Sequence, residues 1–315
     1  MIDESKRCVA YINQMIESGR AAELVAEGED YHRSQLRRIA ADICSREHVR
    51  VVLIAGPSSS GKTTTSHRLC MELLEHGKHP VALSLDNWFL NGRDIPLTKE
   101  GKKDYESVYA VDIKQLYQDL KALIAGEKVA IPTFNFSDEK RELLGEMLQL
   151  KKDAILVLEG IHALNPVLTK YIDASRKYKI YAAPMSPVSL SGDNWIPTYV
   201  PRLLRRMSRD LRTRGRSPQK TIALWPSVIE GEAEWIEPFR KEADAEFDTS
   251  MVYELPALRM TVEAALQTVP ASAAEYGMAE SLLRFLGFFT PLESSYVPHD
   301  SILREFIGGS QFNVS

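Results

Sequence analysis

The sequence predicts an α/β fold, a doubly wound and mostly parallel sheet with helices on both faces, and three observations predict it. Four short apolar runs stand apart along the chain: Val51-Val52-Leu53-Ile54-Ala55, Val81-Ala82-Leu83-Ser84-Leu85, Ala154-Ile155-Leu156-Val157-Leu158 and Lys179-Ile180-Tyr181-Ala182-Ala183. Unbroken runs of this length suit strands buried on both faces, as parallel strands are. Segments with helical spacing separate them, and strand–helix alternation is the pattern of parallel crossover units. The first run also leads straight into a glycine-bounded turn, Gly56 to Gly61, and then into a helical segment.

The remaining elements follow in order. Residues 3–20 and 30–47 are expected to be amphipathic helices separated near Gly28, the second with Leu36, Ile39, Ala40 and Ile43 at helical spacing. A helix over 62–76 ends near Gly77, and 87–108 is polar and turn-rich, with Gly92, Pro96 and Gly101. Helix 112–125 stops at Gly126, a short strand Val129-Ala130-Ile131 stops at Pro132, and 142–150 admits a hairpin. Helices are expected over 200–212, 218–230, 256–267 and 273–286. The chain thus divides into a helical N-terminal extension (1–48), an α/β body (49–255) and a helical C-terminal extension (256–315).

Composition narrows the class. A chain of 315 residues with 44% hydrophobic residues can bury a layered core without disulfides. A net charge of −4 and a pI near 6.0 give no global reason to expect a nucleic-acid or membrane partner. Three cysteines, Cys8, Cys44 and Cys70, without metal-like spacing fit a reducing cytoplasm. The charged start Met1-Ile2-Asp3-Glu4-Ser5-Lys6-Arg7 is no secretory leader, and no apolar run reaches the roughly 20 residues of a membrane span. Whether the chain forms a homo-oligomer stays open.

Gly56-Pro57-Ser58-Ser59-Ser60-Gly61-Lys62-Thr63 satisfies the G-x-x-x-x-G-K-[ST] phosphate loop, and it stands between a buried strand and a helix, as that motif requires. In such a loop, backbone amides and the helix N-terminus wrap phosphate oxygens. The candidate nucleotide contacts are therefore Gly56, Ser58, Ser59, Ser60, Gly61, Lys62, Thr63 and Thr64. Lys62 would reach the β- and γ-phosphates of ATP, and Thr63 would ligate Mg²⁺. Asp86 follows the second strand and Glu159-Gly160 follows the third, so both acids belong at the carboxyl edge of the sheet, where ligands bind. Asp86 can take a proton from an acceptor hydroxyl, although on position alone a turn aspartate fits equally. Glu159 resembles the carboxylate that holds Mg²⁺ or its water. Trp88-Phe89 and Phe134-Asn135-Phe136 can stack a flat ring or simply pack in the core. For His162, a loop role is preferred.

Residues 202–216 carry seven arginines against the single Asp210, a local charge of +6 in a chain of −4. A helix puts Arg205, Arg209 and Arg212 on one face with Arg202 and Arg206 beside them, and Arg214-Gly215-Arg216 forms a flexible tip. Such a basic lid can neutralise charge on a phosphoryl group in transfer. A solvated basic face is the plainer alternative.

Together these residues resemble the uridine kinase branch of the uridine kinase/phosphoribulokinase family. The carriers are Gly56–Thr63, Leu85-Asp86-Asn87-Trp88-Phe89, Asp104-Tyr105-Glu106, Pro132-Thr133-Phe134-Asn135-Phe136, Glu159-Gly160-Ile161-His162 and Arg205-Arg206-Met207-Ser208-Arg209-Asp210 with Arg214-Gly215-Arg216. The terminal Leu303-Arg304-Glu305-Phe306-Ile307-Gly308-Gly309-Ser310 resembles a bacterial subgroup with a C-terminal extension. The resemblance implies a P-loop NTPase-type sheet with an arginine-rich lid, and transfer of a phosphoryl group from Mg-ATP to the 5′-hydroxyl of uridine or cytidine. It makes Asp86, Lys62, Arg209 and Arg214 catalytic and gives Arg216 to the nucleotide. Tyr105, Glu106, Phe134 and Arg206 fall to the acceptor, Glu106 holding the ribose hydroxyls and Phe134 the base. Trp88, Asn135 and Ser137-Asp138-Glu139 depart from the family pattern on the base side. The competing expectations are a kinase for another small alcohol and a nucleotide-binding regulatory module without turnover.

Overall fold

A computed structural model describes residues 3–136, 138–145 and 147–314, so Met1, Ile2, Ser137, Ser315 and, within the expected hairpin, Glu146 lie outside it. Its main sheet has five parallel strands: β1 (Val51–Ala55), β2 (His79–Ser84), β3 (Ala154–Glu159), β4 (Lys177–Ala183) and β5 (Ala245–Asp248). They lie in the order β5-β4-β1-β3-β2, with Val52 beside both Val157 and Tyr178.

The apolar runs are continuous because the sheet is covered twice. Val52, Ile54, Ile155, Val157, Ile180 and Ala182 face a core built by α1 (Val9–Glu17), α2 (Ala21–Ser45) and α3 (Lys62–Glu75). Val51, Leu53, Ala55, Leu156 and Leu158 face the other way, against Leu116, Leu120 and Leu123 of α4 (Ile113–Ile124). After the single turn α5 (Pro166–Thr169) come α6 (Tyr199–Thr213), α7 (Pro218–Trp235), α8 (Glu254–Leu266), α9 (Tyr276–Leu286) and the short α10 (Arg304–Ile307). Leu258, Leu286 and Phe306 from the C-terminal helices join the same core as Ile12 and Leu36.

Three expectations change. The N-terminal helices part at Gly19, which has φ +75°, while α2 runs through Gly28. Gly28 is there for its size: a Cβ would lie 3.2 Å from a Tyr253 ring carbon. The region 142–150 is no local hairpin. Lys140–Glu142 pairs with Thr133–Asn135, and Met147–Gln149 pairs with Lys128–Ala130. Strand β5 was not foreseen, because Ala245-Glu246-Phe247-Asp248 has one large apolar residue and gains its form by pairing with β4 at the sheet edge.

His32 of α2 is fully buried, its Nε2 2.9 Å from Ser250 O and its ring edge-on to Phe247. Burial is the main cause that lowers its pKa to about 4, so it is neutral in the fold and protonates near 6.5 when unfolded. The stability from the neutral ring is present above pH 6.5 and is lost as pH falls toward 4. Urea unfolding at pH 7 and pH 5 is expected to show wild type losing about 2 kcal/mol more than His32→Gln over that interval. Equal losses would refute the assignment. Among the described residues, no helix is long and apolar enough to cross a membrane.

Candidate active site

Three chain segments leave the carboxyl ends of adjacent strands and meet. β1 runs into the loop 56–61, whose Gly61 takes φ +90° to start α3, and whose Ser59 sits at φ +60°, an uncommon conformation for a residue with a side chain. The Ser59 and Ser60 hydroxyls are buried without a hydrogen-bond partner among the described residues. Lys62 is buried too, its Nζ donating to Pro57 O at 3.0 Å. Burial lowers its pKa, opposed by Glu159, Asp86 and Glu305.

Asp86 lies in a tight turn, Leu85–Trp88, just beyond β2, with its amide donating to Ser84 Oγ. Burial raises its pKa, while Lys62, Arg214 and Arg209 act in the opposite direction. Glu159 ends β3 and accepts from Thr63 Oγ1 at 3.2 Å. Burial, and after it the charge of Asp86, pushes its carboxyl up to about 7. The carboxylates, Lys62 and two lid arginines therefore act on one another in one crevice, as the strand ends predicted.

The arginine run does not behave as one basic face. Arg205 has no solvent exposure: it pairs with Glu254 at 2.6 Å and donates to Thr249 O and Ser60 O, fastening α6 to the phosphate loop. Arg212 donates to Glu305 O. Arg202 pairs with Glu232 at 2.7 Å, and the remaining four gather around buried Asp210, whose carboxylate lies 3.1 Å from Arg209, 3.7 Å from both Arg206 and Arg214, and 3.8 Å from Arg216. Burial works against the charge of Asp210, but Arg209, Arg206 and Arg214 outweigh it and hold the carboxyl below its ordinary range. Four guanidinium groups on one carboxylate leave an excess of positive charge. Burial lowers Arg214 to about 9, helped by Arg209. Arg206 reaches the phosphate loop, donating to Ser58 Oγ at 2.7 Å.

On the opposite side, Asp104 Oδ1 accepts from the amides of Glu106 and Ser107 and sets the turn that presents Glu106. The Glu106 stem packs on α7 at Gly231, where a Cβ would come within 2.3 Å of it. Burial raises the Glu106 pKa, and Arg206 and Lys62 draw it back, so this acid shares the crevice. Phe89, Phe134 and Phe136 form an aromatic cluster beside it, with centroids 5.5 Å apart for Phe89–Phe134 and 5.0 Å for Phe134–Phe136. Tyr105 meets Phe89 edge-on, and Arg214 lies 4.6 Å over Phe136. Phe134 is buried and Phe136 half-buried, so Phe136 is the more accessible ring. Trp88 is a core residue whose Nε1 donates to Asp119. His162 is buried, and burial lowers it to about 4, keeping it neutral.

The sequence reading missed three contributors. Asp210 had a visible signal, a lone acid within an arginine run. Glu305 stood only within the terminal motif, and neither it nor Gly231 was tied to the site, because each acts through a contact distant in sequence.

The residues present fit a magnesium nucleotide: partnerless serine hydroxyls and a buried lysine line the loop, and Thr63 with Glu159 offers hard oxygen donors of the kind Mg²⁺ takes. Fold and site together define a P-loop kinase, an ATP-dependent phosphotransferase with an alcohol acceptor. Residues 51–255 match the model of the Phosphoribulokinase / Uridine kinase family, and the chain belongs to that family. Uridine kinase of Staphylococcus aureus is 30% identical over 196 residues, covering 62% of this chain and 84% of that protein. A solved structure of a kinase assigned to a fructose transport system in a Silicibacter species has TM-score 0.51 and 18% identity, over 67% of this chain and 98% of that one. D-glycerate 3-kinase from Cryptococcus neoformans has TM-score 0.48 and 14% identity, over 66% and 89%.

Proposed function

We propose that the chain phosphorylates the 5′-hydroxyl of uridine, with cytidine as a related acceptor, and that residues 49–255 form the kinase body between helical extensions. The observation that carries this reading is Glu106, an acid in the same crevice as Lys62 and Arg206 and beside an aromatic cluster. A carboxylate suits the neutral diol of a ribose and repels an acceptor that already bears phosphate. The rings Phe134 and Phe136 suit a nucleobase.

ATP would supply the phosphoryl group, and Mg²⁺, which Thr63 and Glu159 would hold, would neutralise its oxygens. Asp86 accepts the proton of the acceptor hydroxyl as that oxygen bonds to phosphorus and the bond to the leaving ADP breaks. Its raised pKa strengthens it as a base. Lys62, Arg209 and Arg214 balance charge on the transferring group and the leaving oxygens, and Arg216 assists on the nucleotide side. Arg206, bound to Ser58, links the acceptor side to the phosphate loop.

The test compares uridine with 2′-deoxyuridine, which lacks one hydroxyl that Glu106 would hold. Hydrogen bonds to a charged group contribute about 1.5–3 kcal/mol each, so wild type should disfavour deoxyuridine by roughly tenfold or more in kcat/KM. Glu106→Gln should narrow that ratio, chiefly by impairing uridine. An unchanged ratio would remove Glu106 as the ribose anchor. Failure of both nucleosides would turn the reading toward another alcohol.

A further inference from the structure

The C-terminal stretch of the chain crosses the phosphate loop. Glu305 Oε2 accepts hydrogen bonds from the Thr64 backbone amide at 3.2 Å and from Thr64 Oγ1 at 2.9 Å. Ile302, fully buried, sits against the same loop, so near that a Cβ on Gly61 would come within 2.4 Å of its methyl group. The stretch is tied to the lid helix as well. Arg212 donates to Glu305 O at 2.9 Å, Ser208 to Phe306 O at 3.1 Å, and the Arg205 guanidinium lies 5.4 Å over the Phe306 ring.

The amide of Thr64 belongs to the first turn of α3, whose N–H groups have no partner within the helix; the next one, on Thr65, already returns to Gly61 O at 3.0 Å. Unpaired first-turn amides are what a phosphate loop offers to a phosphate chain. A carboxylate and a phosphate oxygen cannot occupy the same donors, and two anions at that range repel. We infer that Glu305 is an internal competitor for the nucleotide: its carboxylate occupies the Thr64 end of the phosphate site, and a nucleoside di- or triphosphate binds by displacing it. This rests on the reading of residues 56–64 as the ATP site. The backbone does not have to leave, because Ile302, Leu303 and Phe306 are fully buried and Arg304 donates to Ser294 O and Val297 O. The exchange falls on the Glu305 side chain, which makes this residue a determinant of nucleotide affinity and of how readily ADP leaves.

The test is calorimetric titration of ADP into the full chain, without acceptor, for wild type, Glu305→Gln and Glu305→Asp. Gln keeps the shape and removes the charge; Asp keeps the charge and shortens the reach, so that if one variant does not fold the other still decides. ADP should bind Glu305→Gln about tenfold more tightly than wild type, the size of a lost charge-assisted contact. Glu305→Asp should shift the same way by less. The melting temperature without ligand should move oppositely, falling in both variants as the contact to Thr64 loses its charge in Gln and its reach in Asp. A merely structural cap would lower both affinity and melting temperature, and that result would overturn competition. Equal ADP affinity in all three proteins would also overturn it while leaving the ATP site standing, whereas binding by none would remove the ATP site and the competition together.

Discussion

Lys62→Ala is expected to abolish most turnover while leaving the fold in place. The Lys62 ammonium is buried, donates to Pro57 O and stands among Asp86, Glu159 and Glu305. It is the one basic group on the loop itself, between Gly56 and Thr64, and in the proposed site it carries the loop's own positive charge to the β- and γ-phosphates. Removing one preorganised charged donor from a transferring group costs roughly 10²–10³ in rate, and kcat for ADP formation should fall by at least that factor. The melting temperature should change little, because deleting a desolvated ammonium also removes a burial cost. Near-normal turnover of a folded Lys62→Ala protein would dismiss the phosphate-loop assignment.

Legibility in the sequence followed the range of the interactions. The phosphate loop was visible because its chemistry is local: glycine at two fixed positions, then lysine and threonine, between a strand and a helix. Strands β1, β3 and β4 were visible because burial on both faces demands an apolar side chain at almost every position, and no tertiary detail is needed to see that. Strand β5 was hidden, since a four-residue edge strand depends on its neighbour more than on its own composition. Gly28 misled because glycine serves two ends, as a breaker and as a small surface for a neighbour, and only the position of Tyr253 tells which. The arginine run was visible as charge, yet its division into structural Arg202, Arg205 and Arg212 and the group around Asp210 rests on which turn of α6 meets which partner. Glu305 reaches Thr64 across 241 positions of chain. No local pattern marks a contact of that range.

Asp86→Asn is expected to separate chemistry from binding. Asn has nearly the same size, keeps the backbone amide that donates to Ser84 Oγ and packs in the turn Leu85–Trp88, but it cannot take a proton. The acceptor hydroxyl then loses the base proposed for it. Glu159 is already engaged with Thr63, and Glu106 lies on the ribose side of the proposed acceptor site. Loss of general base assistance costs roughly 10²–10⁴ in kcat. Nucleotide affinity should hold or rise slightly, because Asp86 is one of the carboxylates near Lys62, and neutralising it removes a negative charge from the neighbourhood of the phosphates. Single-turnover rates and ADP titration on the same variant make the measurement. A fall in kcat of two orders of magnitude or more with ADP affinity within a fewfold of wild type supports the base; a parallel loss of affinity and rate would make Asp86 a residue of the metal or nucleotide site instead.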